Sequence, residues 1–259
     1  MPIEKAVFIG CGEEAPAATA AARIYFGEEA CERLLPDPEE AARRVRAWRR
    51  GGREVTLVFP PVSETGLDRA ARTLAALARE KGLECAVNDY GLLSLAARSA
   101  PRPRLVVGRI LSRVLARNIH DLSLYSRAEH SGFLDMLRGF GVVRFDFDPF
   151  TLERAYPETL GFPMSLIAPY ALISFTRRCA LARCGNPDVR PFGSCRKQCR
   201  GSAFTVRNSA LHGVFELVGN KILRRMEPPP ALPETVDRLV DYDPLKGLPC
   251  RDLKRSKSR

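Results

Sequence analysis

The chain of 259 residues carries 41 lysines and arginines against 30 aspartates and glutamates, which gives a formal net charge of +11. Its hydrophobic fraction of 45% and charged fraction of 27% are those of an ordinary globular protein, long enough for one large domain with a full core. No apolar run approaches the roughly 18 residues that a membrane helix needs, so we expect no membrane span.

The start of the chain and the net charge bear on location and partners. The first apolar stretch, Ala6 to Ile9, is too short for a secretory signal. We therefore expect a cytoplasmic location, in which the eight cysteines stay reduced and serve metal binding rather than disulfides. A basic surface can bind nucleic acid, anionic lipid or an anionic small substrate.

Strands and helices alternate along the first 175 residues. Asp37 is placed to cap a helix that begins at Pro38, because Asp favours the N-cap and Pro the first helical position. The predicted strands are Ala6 to Gly10, Arg23 to Gly27, Glu54 to Phe59, Leu83 to Val87, Arg104 to Gly108, Val142 to Phe147 and Leu166 to Phe175; the predicted helices run from Pro38 to about Arg50, from Thr65 or Leu67 to Lys81, from Asn88 over a short stretch, and from Phe133 to Phe140.

This alternation predicts an α/β fold, namely a TIM-barrel-like parallel βα barrel that is either complete or incomplete. In such a barrel the chemistry lies in the loops that follow the carboxyl ends of the strands. Six polar or sulfur side chains directly follow predicted strands and should share that face: Cys11, Cys31, Asn88, Asp89, Arg109 and Cys179.

The composition changes after residue 225. Prolines become frequent, from Pro228 to Pro249, and the chain ends in a basic run, Lys254 to Arg259. We therefore divide the chain into a barrel domain over 1–225 and a proline-rich, basic C-terminal tail over 226–259, with at most one short helix near Glu234 to Leu239.

Four cysteines stand close together in the sequence, on a loop that follows a predicted strand. Cys179, Cys184, Cys195 and Cys199 lie within 21 residues, in a stretch broken by Gly, Asn and Pro. This grouping favours ligation of a soft metal centre over unliganded thiols. Zinc is an alternative, because a structural zinc site also takes four thiolates. Cys85, by contrast, lies in an apolar run and is expected to pack as a small hydrophobic residue.

Other catalytic patterns are weak or absent. His120, His130 and His212 are the only histidines, and none has metal-ligand spacing to another. No nucleophile elbow and no zinc-protease helix motif occurs. Asp89 and Arg109 are weak candidates for pocket residues from their position alone, and helix capping and ion pairing are the ordinary alternatives.

Three ordered segments resemble one family. Ile24 to Cys31, with the sequence Ile-Tyr-Phe-Gly-Glu-Glu-Ala-Cys, is similar to an early motif of the UbiU/UbiV-like branch of the collagenase-like peptidase superfamily (peptidase family U thirty-two). Asn88 to Leu93 resembles a turn of that family, and Arg178 to Cys199 resembles its cysteine-rich loop. The resemblance covers roughly residues 20–220.

The resemblance implies a TIM-barrel-like domain with a [4Fe–4S] cluster whose ligands are Cys31, Cys179, Cys195 and Cys199. The gap between Cys179 and Cys195 is longer than in that family, so Cys184 is an alternate ligand. The implied function is oxygen-independent hydroxylation or a related redox modification, as in ubiquinone biosynthesis, with a paralogous partner subunit. The alternatives are a factor that hydroxylates tRNA or rRNA, a scaffold with a structural metal and, last, a peptidase.

Overall fold

The computed structural model describes residues 2–11, 13, 20–113, 127–152, 160–177, 179, 195, 197–201, 203–208 and 213–252. The strands of this part are β1 (Glu4–Gly10), β2 (Arg23–Gly27), β3 (Glu54–Phe59), β4 (Glu84–Val87), β5 (Arg104–Val107), β6 (Val142–Phe147), β7 (Met164–Phe175), β8 (Ala203–Asn208), β9 (Gly213–Val218), β10 (Lys221–Arg225), β11 (Val236–Tyr242) and β12 (Cys250–Asp252). The helices are α1 (Pro38–Arg50), α2 (Glu64–Ala76), α3 (Tyr90–Arg98), α4 (Arg127–Gly139) and α5 (Pro149–Leu152).

Eight parallel strands close into a barrel with helices between them. Strands β1 to β7 follow one another around the barrel in chain order, and β11 lies between β7 and β1. The barrel is closed because β11 pairs with both of its neighbours: Arg238 pairs with Glu4 of β1, and Leu239 pairs with Leu166 of β7. The predicted TIM-barrel-like fold is therefore confirmed, and the barrel is complete.

The closing strand β11 lies in the segment 226–259 that was predicted as a tail, so the barrel continues past residue 226. The helix predicted near Glu234 to Leu239 is wrong, because these residues enter β11. Its sequence has the alternation of a strand: Val236, Arg238, Val240 and Tyr242 are buried, whereas the residues between them are less so. The prolines on either side bound the strand instead of marking a disordered segment.

Local signals place the helices, but two of their bounds differ from the prediction: α4 begins at Arg127 and not at Phe133, and α2 ends early. The Asp37 side chain accepts a hydrogen bond from the backbone N–H of Glu39 at 2.9 Å, and α1 runs to Arg50 as predicted. Helix α2, however, ends at Ala76 and not at Lys81. Its start is capped by the hydroxyl of Ser63, which accepts from the N–H of Gly66.

Strand β7 belongs to the barrel and to a second, smaller sheet. Its residues up to Pro169 pair in parallel with β11, and Tyr170 to Phe175 pair antiparallel with β10. Pro169, which has no N–H to donate, stands where the strand changes partner. Strands β10, β9, β8 and β12 extend this second sheet, which therefore adjoins the carboxyl end of the barrel.

The barrel lumen is apolar in its middle and charged at its amino end. Ala6, Val106 and Val240 are among its buried apolar side chains. At the amino end, the carboxylate of Glu84 accepts hydrogen bonds from Thr56 Oγ1 at 2.9 Å and from Arg238 Nη1 at 2.8 Å. Burial by itself raises the pKa of Glu84, but the neighbouring guanidinium groups hold that pKa below its ordinary value.

Asp146 also faces this lumen, without an arginine in contact. Tyr25 Oη donates to Asp146 Oδ1 at 3.1 Å and lies 3.0 Å from Ser165 Oγ. Burial raises the pKa of Asp146 from 3.8 to about 6, against smaller opposing effects of its hydrogen bonds to Ser165 and Tyr25 and of the charges of Arg238 and Arg144. Folding therefore takes up a proton at Asp146 between about pH 4 and pH 6.

We predict that Asp146→Asn removes a loss of stability that the wild type undergoes between about pH 4 and pH 6. Because the folded-state pKa lies above the unfolded value, the wild type loses stability relative to the variant as pH rises from about 4 to about 6. This relative loss in the free energy of unfolding should reach up to about 3 kcal/mol by about pH 6 and stay constant at higher pH. Urea unfolding of both proteins between pH 4 and pH 8 measures it, and a difference independent of pH would contradict the assignment.

Candidate functional site

The carboxyl ends of the barrel strands bring several polar side chains to one face. Gly27 ends β2 with φ of +141°, and a Cβ there would lie 2.1 Å from the carbonyl oxygen of Val58, so only glycine fits. The chain then turns over the mouth of the barrel through Glu28, Glu29 and Ala30 to Cys31.

Two acidic and two basic side chains form a buried cluster at this mouth. Glu29 is paired with Arg109, and each side chain is 1% exposed. Lys221, the first residue of β10, donates to Glu28 Oε1 at 2.9 Å and to Tyr242 Oη at 2.9 Å. The cluster therefore joins the loop after β2 to the second sheet and to the closing strand β11.

The charges of this cluster stabilise one another. Burial alone raises the pKa of Glu29, but Arg109 and Lys221 hold that pKa below its ordinary value. Burial alone lowers the pKa of Lys221, and Glu28, Tyr242 and Glu29 more than reverse this and raise it well above its ordinary value. The carboxylate of Glu29 and the ammonium of Lys221 are thus both charged at neutral pH.

The two weak pocket candidates from the sequence have structural partners. Arg109 is buried, paired with Glu29, and donates to the carbonyl of Tyr170 at 2.6 Å. Asp89 caps α3, because its Oδ1 accepts from the N–H of Leu92 at 2.6 Å. Its Oδ2 accepts from the N–H of Val62, in the loop after β3, at 2.7 Å. These contacts match the capping and ion-pairing alternatives.

Cys31 and Cys179 come from two different loops at the mouth. Cys31 precedes a 3-10 turn, Glu32–Leu34, and its carbonyl accepts from the N–H of Leu34 at 3.1 Å. Cys179 follows β7, and its thiol donates to the carbonyl of Gly219 at 3.6 Å. Both side chains are partly exposed.

Cys195 and Cys199 lie on the segment that leads into β8. Cys195 Sγ accepts a hydrogen bond from the backbone N–H of Lys197 at 3.4 Å. Lys197 has a φ of 58°, in the left-handed region that few residues other than glycine adopt. Cys199 lies in the 3-10 turn Gln198–Gly201 and is buried.

Cys199 is electrostatically affected by the cysteines around it. Its pKa is raised to about 11, mainly by burial and then by Cys179, Cys195 and Glu28. Burial also raises the pKa of Cys31 to about 12, with contributions from Glu28 and from Cys199. Two of these cysteines lie against the same glycine, since the carbonyl of Gly219 accepts from the thiol of Cys179 and a Cβ built on Gly219 would lie 3.9 Å from Cys199 Sγ.

These cysteines are neighbours without forming a single-ion site. Across the described residues, no three His, Cys, Asp or Glu side chains are grouped so that they could hold one metal ion. The donor set nevertheless fits an iron–sulfur cluster chemically, because it consists of four soft thiols from three separate segments of one face.

The remaining cysteines and histidines lie apart or outside the described residues. Cys85 is fully buried between the barrel and its helices, which confirms its expected role as a small hydrophobic residue. Cys250 lies in β12, and His130 in α4. The alternate ligand Cys184, together with His120 and His212, falls outside the described residues.

A cleft opens beside Cys199 at the barrel mouth. Its volume is about 910 Å³, including the part open to solvent. Cys11, which follows β1 as predicted, shares the cleft with Cys199, and burial raises the pKa of the Cys11 thiol. The other lining residues that matter here are Phe8, Glu28, Lys221 and Tyr242.

Comparisons with protein-family models, with curated proteins and with solved structures give no match for this chain. Among the described helices, none combines the length and the apolarity needed to cross a membrane.

Sequence reasoning missed most of the buried cluster. Glu28 and Glu29 stand directly after a predicted strand, and that position alone could have identified them. Lys221 and Tyr242 gave no such signal. Their positions depend on β10 and β11, neither of which was predicted as a strand.

We predict that Arg109→Met destabilises the fold by about 3–5 kcal/mol, because it leaves the buried carboxylate of Glu29 with one partner fewer. The matched control is Arg138→Met, since Arg138 pairs with Asp135 at 2.7 Å on the surface, where both side chains are about half or more exposed. That variant should cost about 1 kcal/mol or less. Equal losses in urea unfolding would contradict the role assigned to Arg109.

Proposed function

We propose that this protein is an iron–sulfur redox protein whose [4Fe–4S] cluster is held by Cys31, Cys179, Cys195 and Cys199. The observation that carries the proposal is that Gly219 lies against two of these cysteines: its carbonyl accepts from the thiol of Cys179, and a Cβ built on it would lie 3.9 Å from Cys199 Sγ. Thiolates are the ligands that such clusters take, and four of them complete the coordination.

The surroundings of the four cysteines also favour this chemistry. Such a cluster, when bound, transfers single electrons. The N–H of Lys197 donates to Cys195 Sγ, and hydrogen bonds to ligand sulfurs are one way in which a protein sets the reduction potential. The positive charges of Arg200, Arg44 and Lys221 act on the thiol of Cys11 and partly offset the rise in its pKa that burial causes.

The cleft beside Cys199 is the proposed place for a substrate. It lies at the carboxyl ends of the strands, where barrels bind their substrates. Lys221 and Tyr242 supply polar groups at its base, and Phe8 supplies an apolar wall. A molecule bound there would lie next to the cluster ligand Cys199.

From its resemblance to the UbiU/UbiV-like group, we propose an oxygen-independent hydroxylation, or a related redox modification, of a small molecule in the cytoplasm. A paralogous partner subunit is part of this proposal. The ligand set with Cys184 in place of one cysteine, and zinc in place of the cluster, are its alternatives. A structural-metal scaffold and a peptidase remain further candidates, and no described contact favours them.

An RNA-hydroxylating factor is the second candidate, supported by the net charge of +11. Several of the arginines already pair with carboxylates, however: Arg23, Arg109, Arg144 and Arg238 each have an acidic partner. These paired arginines are not free to bind phosphate, but the net excess of +11 is unchanged, because it already counts every carboxylate. The small-molecule candidate is favoured instead by the cleft beside Cys199.

We predict that wild-type protein purified without oxygen contains about four iron and four sulfide per chain. Single Ser substitutions of Cys31, Cys179, Cys195 and Cys199 should each remove most of both, because each takes away one thiolate ligand. Cys85→Ala is the matched control and should keep the wild-type content, since Cys85 is buried away from the mouth.

Metal and sulfide analysis of the same preparations decides between the alternatives. One zinc per wild-type chain without sulfide would replace the cluster by a structural zinc. Loss of iron in Cys184→Ser, together with retention in Cys179→Ser or Cys31→Ser, would move the ligand set to Cys184. Wild-type iron content in all four Ser variants would overturn the proposed site.

We predict that cells lacking this protein, grown without oxygen, lose a hydroxylated small molecule while their RNA nucleosides stay unchanged. Mass spectrometry of small-molecule extracts and of digested RNA measures both pools. Expression of the wild type should restore the lost compound, and expression of Cys199→Ser should not. Loss of a hydroxylated nucleoside would favour the RNA candidate, and no change in either pool would argue against hydroxylation.

A further inference from the structure

A two-residue turn between β9 and β10 lies against the cysteines. Val218 pairs with Lys221, which leaves Gly219 and Asn220 as the turn. Gly219 has φ of +63°, as expected of glycine at the first turn position of a type II′ hairpin. Apart from the glycine, nothing in this short sequence points to a functional role.

Asn220 joins two of the loops that carry cysteines. Its side-chain Nδ2 donates to the carbonyl of Ala30 at 2.7 Å and to the carbonyl of Thr176 at 2.8 Å. Ala30 directly precedes Cys31, and Thr176 lies three residues before Cys179. The side chain of Asn220 is buried, and its backbone carbonyl also accepts from the N–H of Thr176 at 3.1 Å.

Gly219 reaches two of the cysteines directly. Its carbonyl accepts from the thiol of Cys179. A Cβ built on Gly219 would lie 3.7 Å from the Cβ and 3.9 Å from the Sγ of Cys199. The turn therefore contacts Cys179 through its backbone and the loop of Cys31 through its side chain, and it lies close to Cys199.

We propose that Asn220 is a positioning residue for the cysteine site, because it fixes the distance between the loops of Cys31 and Cys179. This inference rests on the proposed function, since it concerns the same four thiols. Mutation of a group that orients a metal ligand typically weakens metal binding about 10–100-fold. Asn220 has that place here, because it holds the backbone directly before Cys31 and the backbone three residues before Cys179.

Asn88 provides a matched control for a purely structural role. Its Nδ2 donates to the carbonyl of Phe59 at 2.8 Å, and its Oδ1 accepts from the N–H of Ile110 at 3.0 Å. Like Asn220, it is a buried amide that bridges two loops at the carboxyl end of the barrel. It bridges loops that carry none of the four cysteines.

The test compares full-length apoprotein of the wild type, Asn220→Ala and Asn88→Ala without oxygen. Titration with Co²⁺ alone, followed through the sulfur-to-cobalt charge-transfer absorption, reports convergence of the thiols independently of cluster assembly. We expect about 10–100-fold weaker Co²⁺ binding for Asn220→Ala and unchanged binding for Asn88→Ala. Asn220→Gln, which keeps the amide donor, should bind more tightly than Asn220→Ala, and far-ultraviolet circular dichroism confirms that each variant is folded.

Cluster reconstitution with iron and sulfide provides the second readout. Wild-type Co²⁺ affinity in Asn220→Ala, or an equal loss in Asn88→Ala, would overturn the positioning role even if the wild type takes up a full cluster. Failure of the wild type to assemble a cluster, with the Co²⁺ difference intact, would instead reject the proposed function and keep the role of Asn220. If the wild type binds no Co²⁺ but takes up a cluster, equal reconstitution of the wild type and Asn220→Ala would overturn the positioning role. Absence of both Co²⁺ binding and cluster uptake in the wild type would overturn both proposals.

Discussion

The contact of Lys221 with Glu28 and Tyr242 is the interaction on which the geometry of the barrel mouth depends. Lys221 begins β10, Glu28 follows β2, and Tyr242 ends the closing strand. One buried ammonium group therefore fixes the second sheet against the barrel at two points. Because a buried charge needs its partners, the three elements are held in one arrangement, and the turn before Lys221 is held with them.

The cysteine site follows from that arrangement. The barrel supplies Cys31, the strand that leaves the barrel leads to Cys179, and the segment before the second sheet supplies Cys195 and Cys199. Cys31 lies far in sequence from the other three cysteines, which lie within 21 residues. The turn Gly219–Asn220 lies beside Cys179, Cys199 and the residue before Cys31. The arrangement of these thiols therefore depends on both sheets being in place.

Much of the fold could be predicted from local patterns, because the first seven strands are apolar runs and the helices described after β2 include clear caps such as Asp37. The eighth strand was missed because the prolines around Val236 to Tyr242 suggested a tail, although the alternation within the strand was visible. The four cysteines were named from resemblance and spacing. Lys221 and Asn220 could not be found in this way, since their roles arise from contacts between residues almost 200 positions apart.

X-ray absorption at the iron edge, on wild-type protein isolated without oxygen, tests most directly whether these thiols surround one inorganic core. The account predicts iron coordinated by sulfur alone, with a short iron–iron distance that only a multinuclear cluster produces. Iron coordinated mainly by oxygen or nitrogen, or a sulfur-coordinated zinc without iron, would contradict it.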